Sequence, residues 1–183
     1  LSAARVAFLI EFLPAFQAHY SQLAEGREQV MLEYKSQLPG QNFRHLLLAN
    51  ERRDQVLQRS TVGPHRDDFS FLMDGQPIKS YGSQGQQKSF VIALKLAQFE
   101  LLAARKSPAV AAPSKPLLLL DDIFDRLDDK RIARLLQLVA AQTFGQVFLT
   151  DTNLARTDAA LAGVSSDIRR FHIERGAASL ITD

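Results

Sequence analysis

The chain has 183 residues, no cysteine, and 22 lysines and arginines against 20 aspartates and glutamates. That length supports one full-sized core, or a core with a small appendage, and the near balance of charge makes no case for a polyanionic partner on its own. The lack of cysteine excludes disulfides, zinc-thiolate sites and iron–sulfur clusters and permits a reducing compartment.

Residues 1–29 carry apolar side chains at helical spacing, with Val6, Leu9, Ile10, Leu13 and Phe16 on one stripe and an interruption or kink at Pro14. Val30 to Gln37 reads as a short strand ended by Pro39-Gly40, and Asn42 to Gln58 as a second helix with Phe43, Leu46, Leu47 and Val56 on one face. This first third is expected to form a helical module rather than part of a sheet. Val62-Gly63-Pro64-His65 is turn-forming, and Phe69 to Met73 followed by Asp74-Gly75 predicts a strand entering a hairpin. A long helix is expected from Ser83 to about Arg105, with Phe90, Val91, Leu94, Ala97, Leu101 and Leu102 inward. It ends in a Pro- and Ala-rich loop at 107–116.

Leu117 to Leu120 is a wholly apolar run, as in a strand covered on both faces. Asp128 or Asp129 then caps a helix with Ile132, Leu135, Leu136 and Val139 inward, and Val147 to Thr150 forms a second buried strand. A short helix at Leu154 to Leu161 and a hairpin of Arg170 to Ile173 with Ala178 to Ile181 complete the chain. The order predicts an α/β layer with a parallel pair. No apolar run nears the roughly 18 residues of a membrane span, and the N-terminus lacks a signal-like segment. The reading is a soluble, cytoplasmic protein with no membrane partner, and its start at Leu1 suggests a fragment or a processed chain.

Charge is uneven along the chain. Arg44, Arg52, Arg53, Arg59 and Arg66 cluster with only Glu51 and Asp54 among them, whereas Asp121, Asp122, Asp125, Asp128 and Asp129 crowd around one arginine. Asp121 falls where an apolar strand emerges at its C-terminal end, the place where open α/β sheets put ligands. A carboxylate there can hold Mg²⁺ beside phosphates, and Asp122 can orient or deprotonate a water. Equally, two aspartates can simply end a strand and cap the next element.

Ser83 and Gln86 match the Ser-x-x-Gln capping box, a purely structural role. Gly85, however, lies in the first turn, where glycine costs about 0.5 to 1 kcal/mol relative to alanine. Something therefore approaches the backbone closely there, and a free helix N-terminus binds anions; cap and phosphate binder both stay open. Gly82 to Ser89 comes one residue short of the phosphate-wrapping pattern G-x-x-x-x-G-K-[ST], since Gln87 stands at its second glycine. No apolar strand leads into it.

Together, Thr61-Val-Gly-Pro-His-Arg-Asp-Asp-Phe69, Tyr81-Gly-Ser-Gln-Gly-Gln-Gln-Lys-Ser89, Ala93-Leu-Lys-Leu-Ala97 and the Asp121-Asp122 strand end resemble the RecF DNA replication and repair protein family over essentially the whole chain, as its C-terminal half. The resemblance implies the C-terminal lobe of an ABC-type ATPase head at 60–183 and a helical arm at 1–59. It implies that Ser83, Gln84, Gly85 and Gln86 form a signature motif reaching ATP held by the other subunit of a head-to-head dimer. Asp121 would hold Mg²⁺, Asp122 would stand at the catalytic carboxylate position, Asp128 would belong to the D-loop, and Asp151 would fall near the switch position. Asp122 is one methylene shorter than the glutamate of ABC transporters, which implies slow hydrolysis, and Asp125-Arg126 replaces the Ser/Ala-Glu usual in this family. The family's function implies ATP-dependent pairing on DNA at single-strand/double-strand junctions in recombinational repair, with Arg52, Arg53, Arg59, His65 and Arg66 as phosphate contacts. Each of these cations can also be a solvated surface group. Other recombination-mediator proteins are the implied partners. A receiver-type phosphoacceptor domain and an interaction module without turnover are the competing readings. Lacking a phosphate-wrapping loop, the chain alone is expected to be inactive.

Overall fold

The computed structural model describes residues 1–38, 40–104, 116–140, 144–164 and 167–181. Its elements run α1 (Ser2–Ala24), β1 (Val30–Lys35), α2 (Phe43–Leu57), a 3₁₀ turn (Pro64–Arg66), β2 (Asp68–Met73), β3 (Gln76–Pro77), α3 (Ile78–Tyr81) and α4 (Gln84–Ala104). The remainder is β4 (Leu118–Leu120), α5 (Asp129–Ala140), β5 (Val147–Leu149), α6 (Leu154–Leu161), β6 (Arg170–Glu174) and β7 (Ala177–Ile181). The loop expected at 107–116 lies outside the described residues except for Pro116, as does the expected helix end at Arg105.

Two helices form the centre. Helix α1 buries Leu9, Phe12, Phe16, Tyr20, Leu23 and Ala24, and α4 buries Phe90, Ile92, Ala93, Leu96, Ala97 and Phe99. They meet through aromatic rings, with Phe16 edge-on to Phe90 at 4.9 Å and Tyr20 at 6.1 Å from the same ring. Such edge contacts add about 0.5 to 1.5 kcal/mol each beyond area burial. The buried stripes differ from those expected. Val6 and Ile10 of α1, and Val91 and Leu102 of α4, face outward, because apolar residues surround both helices and several stripes satisfy the same period. Pro14 does not interrupt α1; it lies within one continuous helix, at an exposed position.

The first third is not a module outside the sheet. Strand β1 pairs antiparallel with β2, Val30 opposite Met73 through Lys35 opposite Asp68, a long-range pairing that local patterning does not encode. The β2–β3 hairpin turns at Asp74-Gly75, both at positive φ (49° and 77°), as a two-residue turn with the twist of the flanking strands requires. Helix α2 behaves differently: it buries no residue at all, so Phe43, Leu47 and Val56 make no inward face.

Strands β4 and β5 pair in parallel, Leu118 opposite Val147 through Leu120 opposite Leu149. Leu118 and Leu120 are buried, but Leu119 is 63% exposed and Phe148 49% exposed. One face of this pair is thus open in the chain, where coverage on both faces was expected. The C-terminal hairpin pairs Arg170 with Ile181 through Glu174 with Ala177 and is largely exposed.

Candidate nucleotide site

The start of α4 is a formed capping box. The Gln86 backbone N–H donates to Ser83 Oγ at 3.2 Å, and the Ser83 N–H donates to Gln86 Oε1 at 2.7 Å. Gln87 turns back, its Nε2 donating to the Gly82 carbonyl at 2.8 Å. The segment 82–89 is therefore a helix entry, not a loop wrapped around phosphate. It is preceded by β3 and the short α3 rather than by an apolar strand. Gly85 has an identifiable reason. A Cβ there would lie 2.9 Å from Arg131 Nη1 and 3.0 Å from the Arg126 carbonyl oxygen, so the helix start is pressed against the loop after β4.

That loop carries the aspartates. Asp121 and Asp122 are exposed just beyond β4, and Thr150, just beyond the parallel neighbour β5, joins them. Its hydroxyl donates to Asp121 Oδ1 at 2.5 Å and accepts from the Asp122 N–H at 3.1 Å. Lys88, one helical turn into α4, donates from Nζ to the Asp122 carbonyl at 3.0 Å. Asp122 is held from both sides in a left-handed conformation, φ 45°, and Arg126 is left-handed too, φ 65°. Non-glycine residues rarely sit there, and such backbone recurs at ligand sites. Between them Ile123 and Phe124 are 2% and 1% exposed; these apolar anchors fix the loop while its carboxylates stay in solvent.

The donor set suits a hard cation. Mg²⁺ takes oxygen ligands, typically one or two carboxylates with the rest from water and phosphate. Among the described residues no group of three or more acidic or histidine side chains gathers to hold a metal by itself. Asp121, oriented by the Thr150 hydroxyl, offers one carboxylate to such an ion.

Asp128 caps α5, accepting from the Arg131 N–H at 2.9 Å, and is exposed. Asp151 is different: its side chain is only 1% exposed. It is gripped by the Arg156 guanidinium and by the Thr157 hydroxyl at 3.1 Å. The Arg156 hydrogen bond, aided by Thr157 and opposed by burial, holds the Asp151 carboxyl below its ordinary value of 3.8. Arg156 also lies 5.7 Å from the Phe124 ring centroid and in the field of Asp122 and Asp125, tying the end of β5 to the aspartate loop.

The remaining candidates lie elsewhere. Arg52, Arg53 and Arg59 are exposed along α2 and just past it, and His65 and Arg66 are exposed on the 3₁₀ turn. His65 is 3.2 Å from the Ser60 carbonyl. In the same motif Asp67 is structural. Its buried carboxylate binds Arg5 of α1 at 2.6 Å and accepts from the Tyr34 hydroxyl of β1.

Sequence patterning gave no sign of Glu28. Its carboxylate accepts from Gln86 Nε2 at 2.8 Å and from the Tyr20 hydroxyl at 2.9 Å, and lies 3.8 Å from Arg131 Nη2. Only the fold brings these partners together. Burial, and then the Glu28 hydrogen bond, push the Tyr20 phenol above its ordinary value.

No family model matches the chain. The DNA replication and repair protein RecF of Flavobacterium johnsoniae is 44% identical over 169 residues, covering 92% of this chain and 45% of that protein. RecF of Bacteroides fragilis is 43% identical over 173 residues, covering 94% and 45%. The chain thus spans about half the length of the curated relatives it matches. A solved structure described as the recombination mediator protein RecF-ATPrS in the RecFOR pathway superposes with a TM-score of 0.70 at 25% identity, over 98% of this chain and 46% of that one. A structure from work on ATP-driven dimerisation of SMC ATPases shares the fold, with a TM-score of 0.54 at 14% identity, over 96% of this chain and 86% of that one. The α/β lobe with its parallel pair is thus that of an ATPase head, and the chain belongs to the RecF DNA replication and repair protein family, matching the C-terminal half of such a protein.

Proposed function

We propose that this chain supplies the trans half of an ATP switch that pairs two copies of a RecF-like protein on DNA during recombinational repair and replication. The observation that carries it is the pressing of the Ser83 helix start against the aspartate loop through Gly85 and Arg126. A helix N-terminus and the carboxylate end of a parallel strand therefore adjoin one another. In this reading Ser83, Gln84, Gly85 and Gln86 meet the phosphates of ATP held by the partner. Asp121 would hold Mg²⁺ beside ATP bound by the N-terminal lobe of its own subunit, and Asp122 would orient water for slow hydrolysis. Asp128 lies at the pairing surface. Asp151 works as the anchor of β5, since its carboxylate is committed to Arg156.

Arg52, Arg53, Arg59, His65 and Arg66 are proposed as phosphate contacts to DNA at single-strand/double-strand junctions. A basic surface with few neighbouring acids suits that role. Residues 1–59 are proposed as part of the arm region and 60–183 as the lobe, with α1 and β1 packed into the core that the two share, in a cytoplasmic protein acting with other recombination mediators. Turnover belongs to the complete protein; this chain alone is proposed to be inactive.

The competing reading, an ATPase-like interaction module in which Ser83 only caps a helix, draws on the formed capping box. The two separate on one measurement: the mass in solution of the complete protein with and without Mg-ATP, for wild type and Ser83→Arg. The switch requires that ATP dimerise the wild type only. Dimerisation of both, or of neither, leaves the serine as a cap.

A further inference from the structure

We infer that Glu28 is a positioning residue for nucleotide-driven pairing, coupling the α4 start and the α5 start to helix α1. The inference rests on the reading that Ser83 to Gln86 meet a partner's ATP.

Glu28 sits between the end of α1 and the start of β1, and its side chain is only 14% exposed. One carboxylate oxygen accepts from Gln86 Nε2 while Gln86 Oε1 accepts the Ser83 N–H. That fixes which way the Gln86 amide faces, since one end is a donor and the other an acceptor. The same oxygen lies 3.8 Å from Arg131 Nη2. Arg131 Nη1 is the group closest to where a Gly85 side chain would be, and it also faces Asp128 at 3.6 Å. The other oxygen accepts from Tyr20 of α1, whose ring packs on Phe90 of α4. One carboxylate thus sets the Gln86 amide, the Arg131 guanidinium beneath Gly85, and the register of α1 against both. Charge-assisted hydrogen bonds of this kind are roughly twice as strong as neutral ones. A shift of the α4 start on meeting phosphate is therefore felt by α1, and the position of α1 biases whether that start is ready.

The test titrates dimer formation of the complete protein against Mg-ATP for wild type, Glu28→Ala, Glu28→Gln and Tyr20→Phe. Loss of a hydrogen-bonded charge predicts a rise of about tenfold in the ATP concentration for half-dimerisation in Glu28→Ala. Glu28→Gln, which keeps the volume and an acceptor, shifts it by roughly two- to fourfold. Tyr20→Phe, which cuts only the link to α1, raises it by roughly two- to fourfold, and an unchanged value there overturns the coupling to α1. ATP affinity measured in a Ser83→Arg background, where the protein stays monomeric, is the same with or without Glu28→Ala.

Half-dimerisation of Glu28→Ala equal to wild type, with Ser83→Arg still monomeric, overturns the role of Glu28 and leaves the ATP bridge standing. An equal loss of ATP affinity in the monomeric background also overturns it, because Glu28 then acts through the fold alone. If Glu28→Ala does not fold, Glu28→Gln decides by the same criteria. If Ser83→Arg dimerises with ATP like wild type, the bridge itself fails and this inference falls with it.

Discussion

Helices α1 and α2 both lie in the first third of the chain and both contain apolar side chains at helical spacing, but they hold their places by opposite means. Helix α1 inserts Phe16 and Tyr20, both 0% exposed, against α4 and extends a polar clamp from Arg5 to Asp67. Helix α2 buries nothing and is held by its ends: Asn42 accepts from the Arg44 and His45 N–H groups, and Asp54 accepts from the Thr61 hydroxyl at 2.6 Å and its N–H at 2.9 Å. A helix of that length without tertiary burial is marginal in water, so α2 depends on its end contacts rather than on a core. Proximity in sequence says little about membership in a core; the depth of the side chains does.

The largest expected effect lies in α1. Phe16→Ala removes a ring from the centre of the core, and a loss of about 3 to 5 kcal/mol in chemical denaturation is expected. A loss below about 1 kcal/mol would mean that α1 is as loosely held as α2.

Acid sharpens the contrast. Burial pushes the Asp67 carboxyl up, but hydrogen bonds from Ser36 and Tyr34 and the Arg5 charge outweigh it and leave it below 3.8. Asp54 is also lowered, mainly by the Thr61 hydroxyl. A carboxyl depressed in the fold binds fewer protons than the unfolded chain, so its stabilisation is present above pH 3.8 and lost as pH falls through the depressed value. Asp67→Asn should therefore flatten the acid dependence of global unfolding. Asp54→Asn should change only helicity local to α2, read as amide exchange at 43–57. Equal effects of the two on global unfolding would erase the distinction.

The smallest effect is predicted for Val56→Ala, at a position 82% exposed. Its unfolding free energy should change by less than about 0.5 kcal/mol. A larger loss in the complete protein would show that α2 packs against something there.

Much of the layout was legible in local chemistry. Asp74-Gly75 marks its turn, Ser83 and Gln86 mark the α4 start, and Asp128 marks the α5 cap, because each encodes a bond to a residue a few positions away. The parallel pair was legible from its undiluted apolar runs. The buried stripes of α1 and α4 were not, since helices apolar on most sides leave their rotation to the partner. Nor was the β1–β2 register, which is fixed across the intervening α2. In the candidate site the motif residues were legible, but not their connections. Glu28 reaches Gln86 across 58 positions, and the need for glycine at 85 comes from Arg126 and Arg131 on another element.

The left-handed backbone at Asp122 bears on which acid can occupy that position. Aspartate and asparagine enter this conformation far more readily than longer side chains, because their short polar groups bond locally. Glutamate here would extend the carboxylate by a methylene and give up part of the local hydrogen bonding that eases aspartate into this conformation. A swap that looks conservative on paper would contend with the Thr150 and Lys88 hydrogen bonds that pin both sides of the residue. Residue choice at 122 is therefore constrained by the shape of the main chain as much as by the reach of the acid.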